Sequence, residues 1–191
     1  NREWRKFLAF HTPVRDVEVR CHYAQALLRT GKQKSAAAQA QALWRHGSSR
    51  PRACDAVFKT LLSTGALTNE DIWIRFNLAV RAGNTRLAQY LTKRLPAARQ
   101  AQAARWLALR AQPARVAELQ PAADLPDQTL TRYALRRLAL ADSDAATALW
   151  MKLRQRSGYG VPTRTANDGH IGLGLALDHD ARAFGWLASL P

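Results

Sequence analysis

"VRDVEVRCHYAQALLRTGKQKSAAAQAQALWRHG", residues 14–47, reads as two helices joined by a short turn. In the first, Val17, Cys21, Ala24, Leu27 and Leu28 recur at spacings of three and four, so they share one face, and Gly31 ends the run. In the second, Ala36, Ala40, Leu43 and Trp44 form a like stripe, and Gly47 ends it. No alternating run here would suit a half-buried strand.

The same punctuation recurs outward from this pair. "PRACDAVFKTLLSTG", residues 51–65, opens with Pro51 in a first turn and closes at Gly65. "TNEDIWIRFNLAVRAG", residues 68–83, opens on Thr68 as a cap with Asp71 three positions on, and closes at Gly83. Asn84 and Thr85 then start a helix that Pro96 stops. Residues 97–111, 127–141 and 143–157 continue the helical rhythm more loosely. Residues 158–169, "GYGVPTRTANDG", read as a loop or a degenerate helix, and 180–190 as a last short one.

Short loops make neighbouring helices antiparallel. Two helices and two turns occupy roughly 30–40 residues, the period of helical-hairpin repeats. Trp4, Trp44, Trp73, Trp106, Trp150 and Trp186 fall about one per period, and "QALWRHG" around Trp44 is echoed by "TALWMKL" around Trp150. The expected fold is all-α: an α-α superhelix, a solenoid of antiparallel helical hairpins of the TPR-like kind. An irregular helical domain is the plainer alternative.

Composition agrees with helix, being rich in Ala, Leu, Arg and Gln. The formal charge of +15 comes from 29 Lys+Arg against 14 Asp+Glu. That balance suits a polyanionic partner, though the basic residues are scattered enough to be a solvated surface. No run of eighteen apolar residues is present, so no membrane span is expected, and no signal peptide is visible. "NREWRKFLAF", residues 1–10, reads as a helix already under way, as in a mature chain or an excised piece of a longer one.

Few groups offer chemistry. Cys21 and Cys54 lie 33 positions apart, close to one repeat, so they suit either a bridge or two buried thiols. Glu70 and Asp71 are adjacent carboxylates, but in a helix first turn, where they favour the macrodipole. The histidines, His11, His22, His46, His170 and His179, lack metal-ligand spacing with the cysteines. "DHD", residues 178–180, offers two carboxylates around an imidazole, and helix capping explains it more simply. "GHIGLGLALD", residues 169–178, lacks the third glycine and the preceding strand of a dinucleotide motif. The tryptophans read as core residues or hairpin staples before sugar platforms, and Arg50/Arg52 and Arg136/Arg137 as solvated faces. No catalytic residue, cofactor site or metal site is assigned.

The longer motifs carry a resemblance. "EVRCHYAQALL", "ALWRHGSSRPRACDAVF" and "AGNTRLAQYLTKRLP" follow one another over residues 14–96. They resemble "ELRCxYxxALL", "ALWxxGxSxPxACDxxF" and "AGNTxLAxYLxKRLP" of the superhelical domain of soluble lytic murein transglycosylases. Beyond residue 96 the likeness persists mainly as helical rhythm, and "GYGVPTRTANDGHIGLG" fits least well.

That resemblance implies a superhelical, non-catalytic segment, here a single one over residues 1–191. The family is periplasmic. It cleaves the β-1,4 bond between N-acetylmuramic acid and N-acetylglucosamine without water, leaving 1,6-anhydro products, through one glutamate in a C-terminal lysozyme-like domain. The resemblance also implies a disulfide between Cys21 and Cys54. The family's catalytic glutamate precedes a serine, with a Gly-Leu-Met-Gln stretch soon after. Here Glu3, Glu18, Glu70 and Glu118 precede Trp, Val, Asp and Leu, and the sole methionine, Met151, stands between Trp150 and Lys152. The lysozyme-like domain is therefore expected to be absent. The expected partner is peptidoglycan, met through the parent protein. Rival readings are a solenoid that binds protein partners and, less favoured, a basic α-repeat that binds nucleic acid.

Overall fold

Amphipathic stripes with strong stop signals should give helices ended by glycine, and they do. The computed structural model describes residues 2–119, 125–155 and 158–191, and of 125–127 only the backbone. Its helices are α1 (Arg2–Phe10), α2 (Val17–Arg29), α3 (Gln33–Trp44), α4 (Asp55–Ser63), α5 (Asn69–Arg81) and α6 (Thr85–Thr92). There follow α7 (Ala97–Ala111), α8 (Leu125–Ala139), α9 (Ser143–Leu153), α10 (Val161–Leu177) and α11 (Arg182–Ala188). Short 3-10 turns at Arg52–Cys54 and Pro113–Glu118 interrupt them, and no strand occurs among the described residues. Contacts divide the chain into two compact units, 1–104 and 105–191.

In the first unit α2 packs on α3 and α5 on α6, each pair joined by a tight turn. The apolar stripes point inward: Cys21, Ala24, Leu27, Ala36, Ala40, Leu43 and Trp44 are all buried. The Cys21–Cys54 disulfide ties α2 to the turn before α4, with Cα atoms 4.8 Å apart. Gln25, on α2, donates from Nε2 to the Ala53 carbonyl of that same turn.

Three of the four glycine stops, Gly31, Gly65 and Gly83, adopt positive φ just past their helices, where only glycine sits without strain. Gly47 has a different reason to be glycine. A Cβ there would stand 2.4 Å from the Leu78 carbonyl oxygen on α5, so this position is where the chain after α3 presses against α5.

The start signals hold as well. Asp16 accepts from Val19 N at 2.9 Å, Asn84 from Leu87 N at 3.1 Å and Asp142 from Ala145 N at 2.8 Å. Thr68 and Asp71 form a full capping box: Thr68 Oγ1 accepts from Asp71 N, while Asp71 Oδ2 accepts from Thr68 N. Burial works against the Asp71 carboxylate, but hydrogen bonds from the Thr68 backbone and hydroxyl and from Arg45 outweigh it and hold the carboxyl below its ordinary value. A carboxyl depressed in the folded state contributes stability above its unfolded pKa of about 4, and loses it as pH falls through the folded value. Thr68→Ala should therefore cost about 1 kcal/mol near neutral pH, and the difference should narrow in acid. Urea titrations at both pH values measure it; a penalty independent of pH would contradict the box.

The second unit packs α8 against α9 and α10, and α10 against α11. Its core holds Leu130, Ala134, Leu135, Ala146, Trp150, Leu153, Ile171 and Leu175. Here the structure decides between two readings: residues 161–169, expected as a loop or a degenerate helix, open a helix of 17 residues. Pro162 sits in its first turn, where no N–H is missed. The inward face is polar and small at its start, with Thr163 and Asn167 buried, which hides the helical period.

Gly174 lets α10 lie close to the end of α8, since a Cβ there would stand 2.4 Å from the Ala139 carbonyl oxygen. Gly174→Ala gains helix propensity of ~1 kcal/mol but forces a backbone apart at about 1–3 kcal/mol. Net destabilisation of the second unit is expected, read as a lower midpoint in thermal unfolding followed by circular dichroism. A raised midpoint would show that the two helices have room to spare.

Candidate functional site

A cleft of about 800 Å³ opens in the first unit, among α3, α4, α5 and α6. Its construction begins with an irregularity in α5. The buried positions there are Asp71, Ile72, Arg75, Phe76, Ala79 and Val80, a helical stripe that contains a cation. Arg75 is 4% exposed. Its Cζ lies 4.2 Å from the centre of the Trp44 ring and 5.2 Å from that of Phe58, so two aromatic faces hold the guanidinium. Trp44 is itself fixed, donating from Nε1 to the Asp71 carbonyl at 2.9 Å and meeting Phe58 edge to face at 5.0 Å.

The aromatic faces stabilise the Arg75 charge but supply no counter-ion. Its Nε has no hydrogen-bond partner, and no ion pair reaches the guanidinium among the described residues. Burial, then the charge of Arg50, pulls its pKa down to about 10, with Tyr90 and Asp55 opposing weakly. The remaining walls are basic: Arg50, Lys59, Arg86 and Arg94 line the cleft, against one lining carboxylate, Asp55. Arg94 stacks over the half-exposed Tyr90 ring at 3.8 Å, and Arg50 is held by its Nε donating to the Leu43 carbonyl at 2.9 Å. Desolvation, then Arg50 and Arg75, lowers the pKa of the neighbouring His46 imidazole. The result is a positive, aromatic-walled recess in the size range of small-ligand sites.

The groups weighed from sequence lie elsewhere or do other work. Glu70 pairs with Arg99 at 3.3 Å on the surface, and Asp71 is buried in its capping box instead of solvated. Asp180 accepts from Arg182 N at 2.8 Å and pairs with its guanidinium at 2.6 Å, so "DHD" serves the start of α11. The hydrogen bonds from Arg182 hold the Asp180 carboxyl down to about 2. Among the described residues no three His, Cys, Asp or Glu side chains gather to hold a metal ion. Trp44, Trp106 and Trp150 are core residues, whereas Trp73 and Trp186 are half-buried under Arg99 and Arg154. Arg50, read as part of a solvated face, lines the cleft. Arg75 was missed, although an arginine at an inward helical position between Ile72 and Ala79 is a signal the sequence carries.

No family model matches the chain. It is 32% identical over 151 residues to the soluble lytic murein transglycosylase of Escherichia coli K12, covering 78% of this chain and 23% of that protein. Its likeness to the enzyme of the same name from Salmonella typhimurium is 36% over 97 residues, 50% of this chain and 15% of that one. The chain thus spans under a quarter of the length of the curated relatives it matches.

Among solved structures, the lytic transglycosylase Slt of Pseudomonas aeruginosa, an inactive mutant, superposes with a TM-score of 0.74 at 30% identity. The complex of the 70-kDa soluble lytic transglycosylase with bulgecin A gives 0.79 at 26%. Both alignments cover 97% of this chain and 31% of the other. With an all-helical backbone and these likenesses, the fold class is the α-α superhelix, and the chain belongs to the family of soluble lytic murein transglycosylases, matching a helical segment of those proteins.

Proposed function

We propose that this segment is a non-catalytic superhelical scaffold of a periplasmic lytic transglycosylase. The parent protein would cleave the MurNAc–GlcNAc β-1,4 bond of peptidoglycan to 1,6-anhydromuropeptides during cell-wall turnover. The observation that carries this is the match of 97% of the chain to only 31% of a solved family member, in a stretch where no glutamate precedes serine. Residues 1–191 would then form one segment of the superhelical domain, with the lysozyme-like domain outside it. The disulfide between Cys21 and Cys54 suits an oxidising compartment. Among the described residues no helix is long and apolar enough to cross a membrane.

A scaffold of this kind would guide murein strands by charge. With +15 on the chain and carboxylates on the stem peptides, association should be electrostatic and weaken with salt. The chain is expected to sediment with purified sacculi at low ionic strength and to be released as salt rises through about 0.2 M, where the Debye length falls below ~8 Å. A chain that stays in the supernatant at every salt concentration, while binding RNA with steep salt dependence, would contradict the reading.

A further inference from the structure

Resting on that reading, we propose that the cleft around Arg75 binds the carboxylates of a murein stem peptide, with Arg75 as its central anchor and Arg86 and Arg94 as flanking contacts. A cation 4% exposed, packed against both Trp44 and Phe58 and lacking an acidic partner among the described residues, is costly to bury. Its cost falls when an anion enters. Among the described residues five lining cations face one lining carboxylate, so the vacancy in charge is larger than Asp55 fills.

The shape selects among anions. About 800 Å³ is far more than an inorganic ion occupies, and the walls include Phe58, Leu62, Leu87 and Tyr90. The complementary ligand is an organic anion with several carboxylates spaced along an aliphatic chain. Guanidinium groups recognise carboxylates as planar forks, two hydrogen bonds at a time. A stem peptide, with free carboxylates on short side chains and at its end, has that chemistry. Desolvation first, and then the charges of Arg50 and Arg75, lower the His46 pKa, and the second part agrees with a positive potential at the cleft.

The test is calorimetric titration of the full chain with three probes: the free stem tripeptide L-alanyl-D-glutamyl-diaminopimelate, its fully amidated counterpart, and inorganic phosphate. The tripeptide is expected to bind, and the amidated form at least tenfold more weakly. Arg75→Met, close in length and uncharged, should weaken the tripeptide at least tenfold. Arg86→Ala/Arg94→Ala, on exposed side chains that leave the core untouched, should weaken it about tenfold with an unchanged circular dichroism spectrum. Equal binding of the amidated peptide, unchanged binding by both variants, or phosphate binding as tightly as the tripeptide would overturn the assignment. Retention on sacculi without tripeptide binding would remove the cleft from the account and leave the scaffold reading in place. Tripeptide binding through Arg75 without retention on sacculi would do the reverse.

Discussion

Trp44→Ala is expected to destabilise the chain by about 4 kcal/mol, the range for deleting a large buried aromatic. The side chain is 2% exposed, at the end of α3, and holds three neighbours at once. It packs edge to face on Phe58, bonds the Asp71 carbonyl, and covers the Arg75 guanidinium. Its loss opens a cavity and exposes a buried cation that the ring had stabilised. Trp44→Phe keeps most of the packing and gives up the indole N–H, so it should cost only about 1–2 kcal/mol. Urea denaturation of the three chains checks this through midpoints at constant m-value. A Trp44→Ala chain within 1 kcal/mol of its parent, as for a typical surface substitution, would show that the ring is not a structural centre.

The second large effect belongs to the disulfide. Cys21 and Cys54 close a loop of sequence separation 33, and both are fully buried. Cross-linking a loop of that length is worth ~3–4 kcal/mol in the chain-entropy model. Cys21→Ala/Cys54→Ala should lose about that much, and reductant should lower the stability of the parent chain while leaving the variant unaffected. Equal stability in oxidised and reduced forms would remove the bridge from the balance of forces. Because α2 and the turn before α4 meet there, its loss should loosen the first unit, including the cleft lined by α4 residues Asp55, Phe58 and Lys59. Amide exchange resolved along the chain reads that directly.

How far the sequence foretold the molecule depends on where its signals are local. Helix ends at Gly31, Gly65 and Gly83, and starts at Asp16, Thr68 and Asn84, rest on neighbours a few positions apart, so they are readable. The start of α10 was not. Its inward positions at 163 and 167 are Thr and Asn, and further along the helix Gly174 leaves no room for a side chain beside Ala139, so the apolar period fades where polar and small residues face inward. Both polar atoms of Asn167 are buried without partners among the described residues, which no local pattern foreshadows.

The cleft failed to appear for a related reason. Trp44, Phe58, Arg75 and Arg94 come from four segments that only tertiary packing brings together. Scattered arginines look like solvent-facing charge until one of them is seen packed against Trp44 and Phe58. Family motifs, in contrast, were legible because they are long and ordered, and the likeness to known lytic transglycosylases bears them out.

The most direct measurement of the central claim, that this helical segment guides murein and leaves bond cleavage to another part of its parent, is a digestion. The chain is incubated with purified sacculi, and the soluble fraction is analysed by mass spectrometry for 1,6-anhydromuropeptides. Sacculi that retain the chain and release none of these products are the predicted result. Anhydromuropeptides accumulating in proportion to the chain added, and vanishing when Glu70 is replaced by glutamine, would contradict it.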